Sequence, residues 1–187
     1  MKKFTFLMLM LISFNAISQT ESSTQLFWNN LQNLCGKTFE GKVVEAPEND
    51  SFRGHKLVMH VRSCNENTIK IPFFVGDDKS RTWVLTYQND RIQLKHDHRH
   101  EDGSPDKVTQ YGGIASNEGF PNLQMFPADK ETADLISYAS TNIWWITIDA
   151  ISFTYNLRRI GTDRFFSISF DLTKPIAAPD APWGWKD

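Results

Sequence analysis

The chain has 187 residues, nearly balanced charge (20 Lys and Arg against 22 Asp and Glu) and two cysteines. With no basic cluster and a formal net charge of −2, nucleic acid is not an expected partner. The length fits one domain able to bury a sizeable core without a dense disulfide framework.

The first 18 residues read as an export signal. Lys2 and Lys3 form a basic start, Phe4 to Phe14 an apolar run, and Ala16-Ile17-Ser18 a small-x-small cleavage site. The run falls short of the roughly 20 residues of a spanning helix. No later segment approaches that length, so no membrane span is expected. No cysteine follows the cleavage site, so a lipid anchor is not indicated. Residues 19–187 are therefore expected to form one exported, soluble domain, periplasmic or extracellular. In such a compartment Cys35 and Cys64 are expected to pair as a disulfide, two buried free thiols being the alternative.

Thr24 to Leu34 reads as a short helix, with Thr24 as its cap, Phe27, Leu31 and Leu34 on one face and Gly36 at its end. From Thr38 the pattern turns to β. Segments rich in Val, Ile, Thr, Phe, Tyr and Trp predict strands at 38–45, 55–64, 68–75, 81–87, 91–100 and 107–114. Residues 116–127 read as loop, and Asp129 as the cap of a short helix over 130–138. Three further strands are predicted at 142–149, 152–160 and 164–172. The tail, residues 173–187, carries prolines with Trp183 and Trp185 and is expected to pack as an extended strap.

The turns Asn65-Glu66-Asn67, Asn89-Asp90, Gly103-Ser104 and Gly161-Thr162-Asp163 are tight, so sequential strands should pair as hairpins. An open up-and-down sheet of this size leaves two long edges unless it closes. The expected fold is all-β: an antiparallel up-and-down barrel of about 8–10 strands. It carries a short N-terminal helix and one short helix before the last three strands. A hairpin across the polar loop 47–54 would set Thr38 near Arg62 and Cys35 within a residue of Cys64.

The segment Phe27-Trp28-Asn29-Asn30-Leu31-Gln32-Asn33-Leu34-Cys35-Gly36-Lys37-Thr38-Phe39-Glu40-Gly41 resembles the entrance of calycin-type barrels, the lipocalins and their relatives. In those a short helix leads through a glycine and an aromatic into the first strand. Here Gly36-Lys37-Thr38-Phe39 stands where lipocalins carry Gly-x-Trp. The resemblance implies a barrel that binds a small molecule inside; it transfers no binding residue.

The run Leu94-Lys95-His96-Asp97-His98-Arg99-His100 holds three of the five histidines at alternate positions. Alternate side chains of a strand share a face. Ile92 and Leu94 mark the face of His96, His98 and His100 as inward, and Lys95, Asp97 and Arg99 occupy the other. A two-residue turn at Asn89-Asp90 sets Leu85 opposite Leu94, Trp83 opposite His96 and Arg81 opposite His98. A turn centred on Gly103-Ser104 sets Tyr111 opposite His96, Thr109 opposite His98 and Lys107 opposite His100. One patch of inner wall then holds Arg81, Trp83, His96, His98, His100, Thr109 and Tyr111. In the later strands Phe153, Tyr155 and Leu157 form one apolar inner row and Phe166, Ile168 and Phe170 another, with Arg159 one step beyond the first.

Three readings of this patch stand side by side. It is a pocket for a small polar or anionic ligand, with Arg and imidazole donors for the anion and flat walls from Trp83 and Tyr111. Or it is a transition-metal site on His96 and His98; the outer two histidines of the run lie about 13 Å apart along a strand, so a further ligand is needed. Or it is structural only. No other cofactor is expected. The sequence lacks a Gly-x-Ser-x-Gly elbow, a His-Glu-x-x-His pair and a glycine-rich phosphate loop, so no catalytic residue is assigned and catalysis is not expected. In the rival functional class, an exported protein binds a macromolecular partner through its surface, with no ligand in the lumen. Of Trp144 and Trp145, one must face the core and the other outward.

Overall fold

The computed structural model describes residues 20–186. The expected export signal, residues 1–18, lies outside the described residues. In chain order the elements are α1 (Ser23–Gln32), β1 (Thr38–Glu45), β2 (Leu57–His60), β3 (Ser63–Cys64), β4 (Thr68–Val75), β5 (Asp78–Gln88), β6 (Arg91–His98), β7 (Tyr111–Ile114), β8 (Leu123–Pro127), α2 (Lys130–Leu135), a 3₁₀ turn (Ser137–Ala139), β9 (Asn142–Ile148), β10 (Ser152–Arg159) and β11 (Phe165–Ile176).

The strands follow the order β7-β6-β5-β4-β2-β1-β11-β10-β9-β8, with β3 added beside β4. All pairs are antiparallel, as hairpin connections require. The ring is made by the pairing of first strand with last, Gly41 opposite Phe170 and Val43 opposite Ile168. One seam remains, between β7 and β8, and it is almost shut. Asp129 N–H donates to the Gly112 carbonyl at 3.0 Å. The Thr132 hydroxyl accepts from Gly112 N–H at 2.7 Å and donates to Gly112 C=O at 2.8 Å. A Cβ at Gly113 would stand 1.7 Å from the Pro127 carbonyl oxygen, so the seam needs glycine there.

Alternation puts one side of every strand into a shared interior. Phe73, Trp83, Phe153, Phe166, Ile168 and Phe170 fill it. Helix α1 plugs one end, burying Phe27, Trp28 and Leu31, each side chain contributing about 1.5–3 kcal/mol. The plug is pinned by polar bonds. Trp28 Nε1–H donates to Glu66 C=O at 3.1 Å, and the Ser22 hydroxyl to Asp90 at 2.7 Å. Ser22, not Thr24, caps the helix, accepting from Gln25 N–H at 3.1 Å. Thr24 is buried inside the first turn and donates to Glu118 C=O, which removes it from the cap.

Several boundaries differ from the sequence expectation, for local reasons. Residues 123–127 form β8, within the expected loop. Its inward residues are Phe126 and the polar Gln124, which hides the alternation; Gln124 Nε2 donates to Glu118 C=O at 2.6 Å. The strand expected at 107–114 starts only at Tyr111, because Gln110 is left-handed (φ 59°) and the Asp106 carboxylate accepts from Val108 N–H in a side-chain turn. The 55–64 strand breaks into β2 and β3, and Thr38 pairs with His60, two residues from the expected Arg62. The disulfide Cys35–Cys64 forms all the same, with Cα atoms 6.2 Å apart, since Gly36 N–H donates to Val61 C=O and carries the helix–strand junction alongside. Strand β11 continues to Ile176, opposite Thr38, so the tail proper begins after it. That tail lies on the outer face, with Trp183 N–H donating to Lys79 C=O and the Trp185 ring under Arg62 and Lys70.

The disulfide closes a loop between residues 29 apart, and loop-closure entropy assigns it about 3–4 kcal/mol. Replacing both cysteines by serine is expected to lower unfolding stability by that amount, measured by urea titration of the oxidised protein and the variant. Gly113→Val is expected to lose about 1–3 kcal/mol by prising the seam; an unchanged urea midpoint would show that the seam does not require glycine at this position.

Candidate functional site at the open end of the barrel

The end opposite α1 is not plugged by a helix. A cavity of about 280 Å³ opens there. Of the residues expected from the sequence, Arg81, Trp83, His96, His98 and Tyr111 line it. The β5–β6 register is as the Asn89-Asp90 turn dictated: Arg81 opposite His98, Trp83 opposite His96, Leu85 opposite Leu94. Tyr111 faces His96 across β6–β7.

Thr109 and His100 are not in the lining. The left-handed Gln110 lifts Thr109 out of the row; its hydroxyl accepts from His98 N–H at 2.8 Å and turns to Asp97. Beyond His98 the pairing slips: Arg99 bridges Pro105 ahead of β7, and His100 N–H donates to Ser104 C=O at 2.9 Å within the tight turn rather than facing Lys107. His100 is left exposed. On the outer face Lys95 is not in water either. It is 8% exposed and bridges Asp129 at 2.6 Å and Glu131 at 2.7 Å, locking α2 over the seam.

The cavity floor is aromatic. Trp83 stacks on Phe73 (4.9 Å, 13°) and on Tyr155 (4.3 Å, 16°). Trp144 faces inward beside His96, while Trp145 faces outward and stacks on Phe165. His96 is buried in this floor. Its Nδ1 is 3.0 Å from the Tyr111 carbonyl, which can only accept, so Nδ1 carries the proton. Its Nε2, 2.7 Å from the Tyr155 hydroxyl, then accepts. Burial pushes the His96 imidazole down to about 3 and the Tyr155 phenol well above its usual value. His98 is hydrogen-bonded to the Tyr111 hydroxyl at 3.0 Å. Burial and then Arg81 lower its basicity, and burial raises Tyr111 to about 12. The wall is therefore neutral at these four groups.

Charge enters at the rim, where Arg81, Arg159 and Arg164 all line the cavity. Arg81 pairs with Asp78 and lies 5.3 Å from the Phe52 ring. Arg164 reaches the nearly buried Asp50 at 3.4 Å. Arg159 donates to Asn142 Oδ1 at 2.9 Å and lies 4.8 Å from the Tyr138 ring. Arg164 is legible in hindsight: it precedes Phe166, Ile168 and Phe170 by the same alternation that places Arg159 beyond Leu157. Phe52 comes from a loop; Ile136 and Tyr138 lie where the helix expected over 130–138 gives way after Leu135 to the 3₁₀ turn, so no regular periodicity aims them at the mouth.

The site does not suit a metal ion on the histidine pair. Both nitrogens of His96 are engaged, and Arg81 sits opposite His98. Among the described residues no three His, Cys, Asp or Glu side chains converge as a ligand set. The chain matches no protein-family model, no curated protein and no solved structure.

The buried imidazoles set a pH dependence. An unfolded chain protonates His96 near its ordinary 6.5, but the folded chain holds it neutral down to about 3. Between those values the unfolded state binds more protons, so stability falls as pH drops. His98 and His60, both lowered, act in the same direction. About 2 kcal/mol is expected to be lost from His96 alone between pH 7 and pH 5. Urea unfolding at the two pH values measures it, and His96→Gln should flatten the difference; equal stability of the unmutated protein at both would exclude a neutral buried His96.

Proposed function

We propose that this is an exported, calycin-like binding protein that takes a small anionic or polar molecule into the open end of its barrel. The observation that carries the reading is the convergence of three guanidinium groups on one cavity with an aromatic floor. Guanidinium groups recognise carboxylates and phosphates by paired N–H donors, and rings supply apolar contact without flexible chains. Pockets of this kind, mostly apolar with a few placed polar groups, are typical of small-molecule sites in barrel mouths. Export fits the presence of the Cys35–Cys64 bridge, which an oxidising compartment maintains. The Lys2-Lys3 start and the apolar run that follows it point the same way.

Each arginine is held before any ligand arrives, by Asp78 and Phe52, by Asp50, or by Asn142 and Tyr138. Preorganisation of this sort reduces the ordering cost of binding.

Ligand binding to the folded state raises stability by mass action, about 2.7 kcal/mol at a hundredfold excess over Kd. Small carboxylates, phosphates, sugars and cations screened against the protein should raise Tm for some anion or polar compound and not for cations. Trp83 and Trp144 in the wall should report the same event by a change in emission. The response should vanish in the Arg81→Gln, Arg159→Gln, Arg164→Gln triple variant. A panel in which nothing raises Tm, or in which the triple variant responds as before, would overturn the reading.

A further inference from the structure

The charge balance of the rim is uneven. Arg81 and Arg164 each have a carboxylate partner, Asp78 and Asp50. Arg159 is held by neutral groups, Asn142 and the face of Tyr138, and has no ion pair among the described residues. It is half-buried in a cavity wall otherwise neutral at His96, His98, Tyr111 and Tyr155. A guanidinium so placed loses hydration without gaining a countercharge, an imbalance that one anion corrects. The remaining charged lining group, Asp106, directs its carboxylate to Val108 N–H on the β6–β7 side. It makes no ion pair with Arg159, so among the described residues Arg159 is the one rim guanidinium left for an anionic oxygen, and the second charge of a dianion such as a phosphate would find no uncompensated partner.

The depth of the cations relative to the apolar floor repeats in three places. Arg81 is two residues from Trp83, Arg159 two from Leu157, and Arg164 two from Phe166, always toward the open end. Two strand residues span about 6.7 Å. The cavity is thus layered, with an apolar floor and a cationic rim one ring's depth above it.

Resting on the reading of this cavity as an anion-binding pocket, we propose that its ligand is a planar aromatic monocarboxylate. The ring enters first, onto the floor formed by Trp83, Trp144 and Phe166. The single carboxylate stays at the rim and pairs with Arg159. The exposed Tyr138 ring, already against that guanidinium, flanks the carboxylate.

Titration calorimetry with trans-cinnamate, 1-naphthoate, 1-naphthamide, phenyl phosphate, inorganic phosphate and citrate tests this. Cinnamate or naphthoate should bind, with naphthamide and phenyl phosphate at least tenfold weaker and inorganic phosphate not detected. Arg159→Gln should weaken the aryl acid at least tenfold, while Arg158→Gln, one residue away on the exposed face, should leave it unchanged. The amide comparison needs no variant, so it holds even if Arg159→Gln fails to fold. Naphthamide binding as tightly as naphthoate, or phenyl phosphate binding tighter, overturns the monocarboxylate. If citrate or inorganic phosphate binds and the aryl acids do not, with binding lost in the Arg81→Gln, Arg164→Gln variant, the ligand class is wrong and the anion pocket stands. If none of the six binds, both fall.

Discussion

The pairing of β1 with β11 is the interaction on which the rest depends. Without it the chain is an open meander with two long edges and two faces, and alternation would only sort residues between them. Once Gly41 and Val43 lie against Phe170 and Ile168, the inner face becomes a closed interior. Every second residue must then fit a volume shared by all strands. Aromatics fill the middle, a helix plugs one end, and whatever the rows carry past the last aromatic is delivered to the other end. The arginines at the rim are a consequence of that geometry.

Closure also explains the chemistry at α2. The ring leaves a gap where β7 meets β8, and its backbone groups must be satisfied. Gly112 and Gly113 let the strands approach, and Thr132 bonds both polar groups of Gly112. Lys95, itself almost out of water, then holds α2 in place through Asp129 and the exposed Glu131. The same segment runs on into Ile136 and Tyr138 at the cavity mouth. Sealing the barrel and shaping the pocket are thus done by one stretch of chain. The neutral floor has the same origin: His96 stays uncharged because the closed interior excludes water from it, and its two partners fix its tautomer.

Much of this was legible from local pattern. Two-residue turns set the β5–β6 register to the residue, because a hairpin's register follows from its turn. The disulfide followed from two cysteines flanking one hairpin, although its register was two residues off. Legibility failed where the backbone left the regular strand. Gln110 in the left-handed region removed Thr109 from the wall, and the slip at Arg99 removed His100. A single sequence carries little sign of such a bulge, since its cost is local and its benefit is set by the neighbouring strand. Strand β8 was hidden because an inward glutamine broke its alternation, a residue tolerated only because Glu118 C=O is there to meet it.

By itself the sequence determined the β class, the register of the β5–β6 hairpin and which residue types occupy the inward rows of the regular strands. Those properties arise from side-chain alternation and turn chemistry, which act over a few residues. Only the tertiary structure decided that Arg81, Arg159 and Arg164 share one rim, and that Asp50 and Asp78 compensate two of them while Arg159 has only neutral partners. These are relations between strands and loops far apart in the chain. They depend on ring closure and on where loops fold over the mouth, and no local periodicity encodes them. The His-x-His-x-His run shows the division plainly: alternation aimed His96 and His98 inward, and closure made the first a buried neutral floor, the second a wall, and left His100 in solvent.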